Sequence, residues 1–160
     1  MCGIVASVSN KDVVNILISG LHKLEYRGYD SSGIATLNNN KISLIKTSGK
    51  VETLEKSING NFKGQIGIAH TRWATHGEPS EKNAHPHQVE DIVIVHNGII
   101  ENYESLKENF SDLKSDTDSE IIAHLIQKKL SEKNNLLEAV LAVSQKLQGT
   151  YALAVLDKNN

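Results

Sequence analysis

Residues 1–9 read M-C-G-I-V-A-S-V-S, and residues 2–9 have the composition of a first β-strand. Cys2 is the only cysteine in 160 residues and follows the initiator methionine directly. After removal of Met1, Cys2 would carry a thiol, whose thiolate is a strong nucleophile, and a free α-amine with an ordinary pKa of about 7.7–8.0. One residue could then supply both nucleophile and general base. The alternative is a small apolar residue at the start of a strand.

Composition and charge narrow the class of protein. The chain is 39% hydrophobic and 22% charged, as in a single soluble globular domain. A net charge of −2 without a dense basic stretch argues against a nucleic-acid partner. The sequence has no signal peptide and no apolar run of the ~20 residues that cross a bilayer, so no membrane partner is expected. A single cysteine cannot form an internal disulfide, which favours a reducing compartment, the cytoplasm.

Alternating strand and helix patterns predict an α+β fold. Besides residues 2–9, strands are predicted at 33–38, 41–47, 65–70, 91–96 and 150–157, the first two of these forming a hairpin. Segment 71–90 contains Gly77, Pro79 and Pro86 and is predicted to be a long loop. Long ordered loops in compact domains are usually functional.

Helices are predicted where apolar residues recur at spacings of three and four. Asp12 is the expected cap of the first helix, which should end before Gly28. Thr117 and Glu120 have the spacing of a capping box for a later helix. Other helices are predicted at 51–58, near Asn102 and over 136–147, before Gly149. The expected apolar stripe of the first helix is Val13, Ile16, Leu17, Leu21 and Leu24, and that of the capping-box helix is Ile121, Ile122, Leu125 and Ile126.

Four polar segments accompany the M-C-G-I-V start. They read Y-R-G-Y-D-S-S-G at 26–33, H-T-R-W-A-T-H-G at 70–77, V-H-N-G-I-I-E-N-Y at 95–103 and S-D-T-D-S-E at 115–120. Together they resemble the glutaminase domain of class II glutamine amidotransferases, and within that class the glucosamine-6-phosphate synthase family. The resemblance implies an N-terminal-nucleophile hydrolase fold, with two antiparallel sheets stacked between helical layers. It also implies hydrolysis of L-glutamine to L-glutamate and ammonia through a γ-glutamyl thioester on Cys2, without a cofactor.

The resemblance assigns roles to residues that also allow plainer interpretations. Asn97 and Gly98 would hold the oxyanion with a side-chain and a backbone donor, although an isolated Asn-Gly usually marks a tight turn. Arg72 would bind the α-carboxylate of glutamine with its planar fork, although it could equally be a solvated surface charge. Asp118 would bind the α-ammonium, although carboxylates at helix starts commonly complement the helix dipole.

The resemblance gives four more residues a place in the site. Thr75 and His76 would complete the glutamine pocket. Trp73 would lie on a loop that closes over glutamine and would help to gate the ammonia exit, or it could be a local hydrophobic plug. Arg27 would support Cys2.

The histidines at 70, 76, 85, 87 and 96 invite a metal interpretation, because H-P-H at 85–87 could place two ligands on an extended loop. However, no cysteine lies near them in the sequence, and there is no H-E-x-x-H helix. We therefore expect hydrogen bonding within loops and no bound metal. The similar family has an N-A-H-P-H stretch as well and uses no metal for glutamine hydrolysis.

The chain is interpreted as one domain, a type-2 glutamine amidotransferase (glutaminase) domain over residues 1–160 that is truncated at its C-terminus. Fructose 6-phosphate would be used only by an isomerase domain, which this sequence lacks. The alternative function is that of a catalytically inactive fragment that only binds glutamine or self-associates. An unpaired edge on strand 150–157 would favour such a homo-oligomer.

Overall fold

The computed structural model describes residues 2–74, 77–133 and 135–159. A 3-10 turn over Glu25–Arg27 connects the first helix to the second strand. The elements in chain order are β1 (Gly3–Val8), α1 (Val14–Leu24), β2 (Ser31–Asn38), β3 (Lys41–Ser48), α2 (Val51–Ser57), β4 (Ile66–Arg72), β5 (His87–Val89), β6 (Ile92–Gly98), α3 (Tyr103–Lys107), α4 (Glu120–Lys133), α5 (Leu136–Ser144) and β7 (Tyr151–Asp157). Every predicted strand and helix is thus present among these elements.

The strands form two antiparallel sheets, with the orders β1-β4-β2-β3 and β5-β6-β7. Gly3 lies opposite Thr71 where β1 pairs with β4, so the start of β1 adjoins the end of β4. β6 packs against both β1 and β4 across the sheet interface. The start of β1 and the ends of β4 and β6 therefore meet at one edge of the two sheets.

Side chains alternate between the two faces of each strand, and this alternation separates three apolar layers. In β2, Ile34 packs with α1 and α2, whereas Ala35 lies between the sheets. In β6, Ile94 packs with α4 and α5, whereas Val95 faces the other sheet. The layer order is helix, sheet, sheet, helix, which confirms the predicted α+β class and its stacking.

Two predictions for α1 are wrong. Ile16 is 55% exposed, because it lies two residues from both Val14 and Ile18 and so points away from the buried stripe. Asp12 does not cap the helix, since its Oδ1 accepts a hydrogen bond from the backbone N of Gly64 at 2.9 Å. A tertiary partner has replaced the local one.

The predicted capping box is also wrong. α4 begins at Glu120, whose carboxylate accepts hydrogen bonds from the backbone N atoms of Lys114 at 2.9 Å and Ser115 at 2.6 Å. The Thr117 hydroxyl is instead 3.1 Å from His87 Nε2. Glu120 therefore folds the segment before the helix back onto the helix start.

The segment predicted as a loop over 71–90 contains regular structure. β4 continues to Arg72, and β5 pairs with β6. The helix predicted over 136–147 ends at Ser144, and Leu137 and Leu141 on it are exposed rather than part of its apolar face. Within the described ranges, no helix has the length and apolar character needed to cross a membrane.

Candidate active site

Cys2 lies directly before β1, at the edge where the two sheets meet. Its backbone N donates a hydrogen bond to Asn97 Oδ1 at 3.2 Å, and Trp73 N donates to its Sγ at 3.4 Å. Burial raises the pKa of the Cys2 thiol above its ordinary value, although the Trp73 backbone hydrogen bond and the charge of Arg72 act in the opposite direction. The thiol is therefore mainly protonated at neutral pH, and an attack by Cys2 requires a base.

Asn97 and Gly98 end β6 beside Cys2. Because Asn97 Oδ1 accepts from Cys2 N, the NH₂ of the same amide is the donor that remains for a ligand. Gly98 has φ +152°, and a Cβ at this position would lie 2.4 Å from the carbonyl oxygen of Thr150. Both residues pair with β7, so the Asn-Gly pair is the end of a strand and not a hairpin turn.

A small cavity opens beside Cys2. Five of its lining residues are predicted site residues. The other four carry hydroxyl or imidazole groups, and three of these four belong to the polar segments 95–103 and 115–120. The lining residues are Cys2, Arg72, Trp73, His85, His96, Gly98, Thr117, Asp118 and Ser119.

Arg72 is the last residue of β4 and is only 3% exposed, so it is not a solvated surface charge. Its guanidinium donates hydrogen bonds to the carbonyl oxygens of Gly77 and Glu78, each at 3.2 Å. Gly77 itself has φ +77°, a left-handed conformation that glycine adopts without strain. Arg72 therefore lines the cavity and also holds the chain that follows it.

Asp118 is buried and lies two residues before α4, outside the first turn where a helix dipole acts. Its Oδ2 accepts a hydrogen bond from the backbone N of Ile100 at 2.8 Å. This bond ties the 115–120 segment to the residues that follow β6. Asp118 is thus fixed at the cavity wall as the one carboxylate of its lining.

Trp73 is 47% exposed, and its ring meets that of Tyr29 edge-on with centroids 5.6 Å apart. Trp73 and Cys2 also line a second, larger cavity of about 350 Å³, together with Asn97, Gly98, Ile99, Glu101 and Thr150. A half-exposed ring on the wall of two cavities is not a buried hydrophobic plug. Trp73 therefore borders both cavities.

Three predicted residues remain without a structural test. Thr75 and His76 lie outside the described residues. Arg27 is half-buried in the 3-10 turn before β2, and its support of Cys2 stays a prediction.

Asp30 is a residue whose role the sequence did not reveal. Its carboxylate accepts hydrogen bonds from the backbone N of Ala74 and from the Ser31 hydroxyl, and its own backbone N donates to the Arg72 carbonyl at 3.2 Å. It therefore fixes the backbone on both sides of Trp73. Its place in the Y-R-G-Y-D-S-S-G segment was the available signal, but nothing local shows which backbone it holds.

Four of the histidines are buried together beside the cavity. The rings of His70 and His85 stack at 4.1 Å, and His85 lies 4.5 Å from His87 and 6.4 Å from His96. Burial lowers the pKa of His70 to about 3, so its ring is neutral at physiological pH. In the described part of the chain, no group of three or more His, Cys, Asp or Glu residues is arranged to hold a metal ion.

Comparison with known proteins defines the class. A family model described as "Glutamine amidotransferase domain" matches residues 70–160, which is more than half of the chain. The chain belongs to the glutamine amidotransferase domain family, as its motifs predicted.

Its relatives are more particular. The chain is 51% identical over 165 residues to glutamine–fructose-6-phosphate aminotransferase (isomerizing) of Francisella tularensis, covering 99% of the chain and 27% of that protein. It is 52% identical over 169 residues to the protein of the same name from Wigglesworthia glossinidia brevipalpis, covering 100% of the chain and 28% of the relative. The chain therefore spans about 27% of the length of these curated relatives.

Solved structures show the same fold. The glutamine phosphoribosylpyrophosphate amidotransferase from B. subtilis superposes with a TM-score of 0.82 at 25% identity, covering 98% of this chain and 35% of that one. A glutamine aminotransferase class-II domain protein from Silicibacter pomeroyi, at 16% identity and a TM-score of 0.55, supports the fold alone. The predicted N-terminal-nucleophile hydrolase architecture is confirmed.

Proposed function

We propose that this chain hydrolyses L-glutamine to L-glutamate and ammonia at Cys2. The observation that carries the proposal is the lining of the cavity beside Cys2, in which Cys2 and Gly98 meet a buried Arg72 and a buried Asp118. A free amino acid with a γ-carboxamide presents a carbonyl for attack at one end and a carboxylate and an ammonium at the other. The lining offers a complementary group for each of these.

The first step is attack of Cys2 on the γ-carbonyl carbon. After loss of Met1, the α-amine of Cys2 takes the thiol proton, directly or through a water, because burial holds the thiol pKa high. Asn97 Oδ1, 3.2 Å from this nitrogen, holds the amine in place. The carbonyl oxygen becomes an oxyanion that accepts hydrogen bonds from the Asn97 side-chain NH₂ and the Gly98 backbone N–H.

The later steps return the enzyme to its starting state. The C–N bond breaks as the protonated amine of Cys2 gives its proton to the departing ammonia. Water then attacks the γ-glutamyl thioester, and the C–S bond breaks to release L-glutamate. In this proposal Trp73 separates the substrate cavity from the larger one through which ammonia leaves.

Binding of the amino-acid end follows from charge. Arg72 binds the α-carboxylate and Asp118 the α-ammonium, with Thr75 and His76 completing the pocket. The relatives' name points to the use of ammonia for amination of fructose 6-phosphate, by a part of a longer protein. A reducing compartment such as the cytoplasm suits this chemistry, since Cys2 must remain a free thiol.

The test combines intact mass with product release. Chain that has lost Met1 should release equimolar glutamate and ammonia from L-glutamine, and diazo-oxo-norleucine should label Cys2. Cys2→Ser should lower kcat by at least ~10⁴-fold while binding L-glutamine nearly as well as the parent chain. Equal turnover by chain that retains Met1 would refute the role of the α-amine, and turnover by Cys2→Ser would refute the proposed function.

A further inference from the structure

His85 is a buried residue of the cavity wall whose ring has no polar partner. It is 3% exposed, and both Nδ1 and Nε2 lack a hydrogen-bond partner among the described residues. Each neighbouring ring has at least one partner. His87 Nε2 lies 3.1 Å from the Thr117 hydroxyl and His96 Nδ1 lies 2.7 Å from the Ser119 hydroxyl, whereas His96 Nε2 is unpartnered among the described residues.

The position of His85 is fixed from three sides. Its ring stacks on His70 at 4.1 Å and meets the edge of His87 at 4.5 Å. A Cβ added to Gly33 would lie 2.1 Å from the His85 carbonyl oxygen, so the backbone of β2 is packed directly against it. Leaving two buried ring nitrogens without partners is unfavourable, so a ring held in this way is suited to a bound ligand that supplies a partner.

The ring is a neutral donor and acceptor. Burial lowers the pKa of His85 well below its ordinary value, and electrostatic interaction with the neighbouring histidines and the Arg72 guanidinium acts in the same direction. A neutral imidazole carries one N–H and one acceptor nitrogen. It can therefore donate to an anion beside Arg72 without adding a second positive charge to the cavity.

We propose that His85 donates a hydrogen bond to the α-carboxylate of bound glutamine, next to the guanidinium of Arg72. This inference rests on the proposed function. Asn97 and Gly98 already account for the γ-carbonyl oxygen, and Asp118 accounts for the α-ammonium. Arg72 shares its guanidinium with the carbonyl oxygens of Gly77 and Glu78, whereas a carboxylate offers about four acceptor sites. A second donor in the same cavity wall can therefore bond to acceptor sites of the carboxylate that Arg72 leaves unoccupied.

The experiment compares two ligands that differ at the α-carboxylate. Dissociation constants of L-glutamine and of 4-aminobutanamide, which lacks that carboxylate, are measured by ligand-observed NMR on the full chain carrying Cys2→Ser. Adding His85→Phe should weaken L-glutamine about 10-fold and change 4-aminobutanamide less than twofold. Adding His85→Gln, which retains a donor, should restore most of the affinity. In the active chain, His85→Phe should raise KM for L-glutamine and leave kcat within about twofold.

The control is His22→Phe, which changes an exposed histidine of α1 outside the cavity lining and should leave both affinities unchanged. An equal loss for both ligands, no loss for either, or a loss in kcat alone would overturn the inference. Absence of L-glutamine binding to Cys2→Ser itself would instead refute the proposed function, and the inference with it. Should His85→Phe fail to fold, the ¹⁵N shifts of the His85 ring give the same test. They should move with L-glutamine and stay in place with 4-aminobutanamide.

Discussion

β4 and β6 both end beside Cys2, but they bring different kinds of polar group to it. At the end of β6, Asn97 and Gly98 are half-buried and supply donors that are open to a ligand. At the end of β4, Arg72 is buried and donates to the two carbonyls of the chain that follows. Under the proposed function, the end of β6 serves the reacting atoms, whereas the end of β4 contributes the wall that selects and holds the rest of the substrate.

This difference predicts separable effects on kinetics. An interaction made only in the transition state changes kcat, whereas one made equally in the ground state changes KM. Substitutions at the two strand ends should therefore change different kinetic parameters, although the two cavities beside Cys2 share lining residues.

The largest effect is expected at the end of β6. Asn97→Ala should lower kcat by roughly 10²–10³-fold with little change in KM, because it removes one donor from the oxyanion. Steady-state glutamate release measures both parameters. The matched control is Asn109→Ala, because Asn109 is an exposed asparagine that follows α3 in the chain. This variant should have the kcat and KM of the parent chain. A change in KM alone would show that Asn97 only binds substrate.

A smaller effect of the other kind is expected at the end of β4. Arg72→Ala should raise KM for L-glutamine roughly 10–100-fold and change kcat much less, since a charge-assisted hydrogen bond to the α-carboxylate is lost. Asn83→Ala separates charge from loop structure, because Asn83 Nδ2 also donates to the Glu78 carbonyl, at 3.1 Å. If Asn83→Ala raised KM as much as Arg72→Ala, the loop and not the charge of Arg72 would set the affinity.

The smallest effect concerns the nucleophile between the two strand ends. Because burial raises the pKa of the Cys2 thiol, less thiolate is present at neutral pH than in an unfolded chain. Alkylation of Cys2 by iodoacetamide should be several-fold slower in the folded chain, with a rate that still rises above about pH 9. The same chain unfolded in urea is the reference. If the alkylation rate of the folded chain levelled off at a lower pH than the rate of the unfolded chain, the fold would favour the thiolate.

The sequence was most informative where a local pattern decides the structure. The short apolar run I-V-I-V at 92–95 located β6, which ends at the Asn97–Gly98 pair. The position of Cys2 directly after Met1 suggested that it is a nucleophile. The other motifs were needed to favour this interpretation over that of a small apolar residue at the start of a strand. The polar segments contain Arg72 and Asp118, which line the same cavity as Cys2.

The sequence was least informative where a side chain chooses a distant partner. Asp12 bonds to Gly64 and Glu120 to Lys114 and Ser115, and both sequences nevertheless fit helix-capping patterns. Local pairing rules cannot anticipate a partner from another element. His85 was expected to hydrogen-bond within a loop, and its two unpartnered nitrogens became visible only once the cavity around it was known.

The two proposed catalytic residues stand on different sheets, Cys2 before a strand of one and Asn97 at the end of a strand of the other. The thickness of the apolar layer between the sheets therefore sets the distance between nucleophile and oxyanion donor. Ala35, Val93 and Val95 fill that layer, and a larger side chain at any of them acts as a wedge. In an evolving or engineered enzyme, changes of turnover should thus arise from these hydrophobic positions, although none of them is among the residues that line the two cavities.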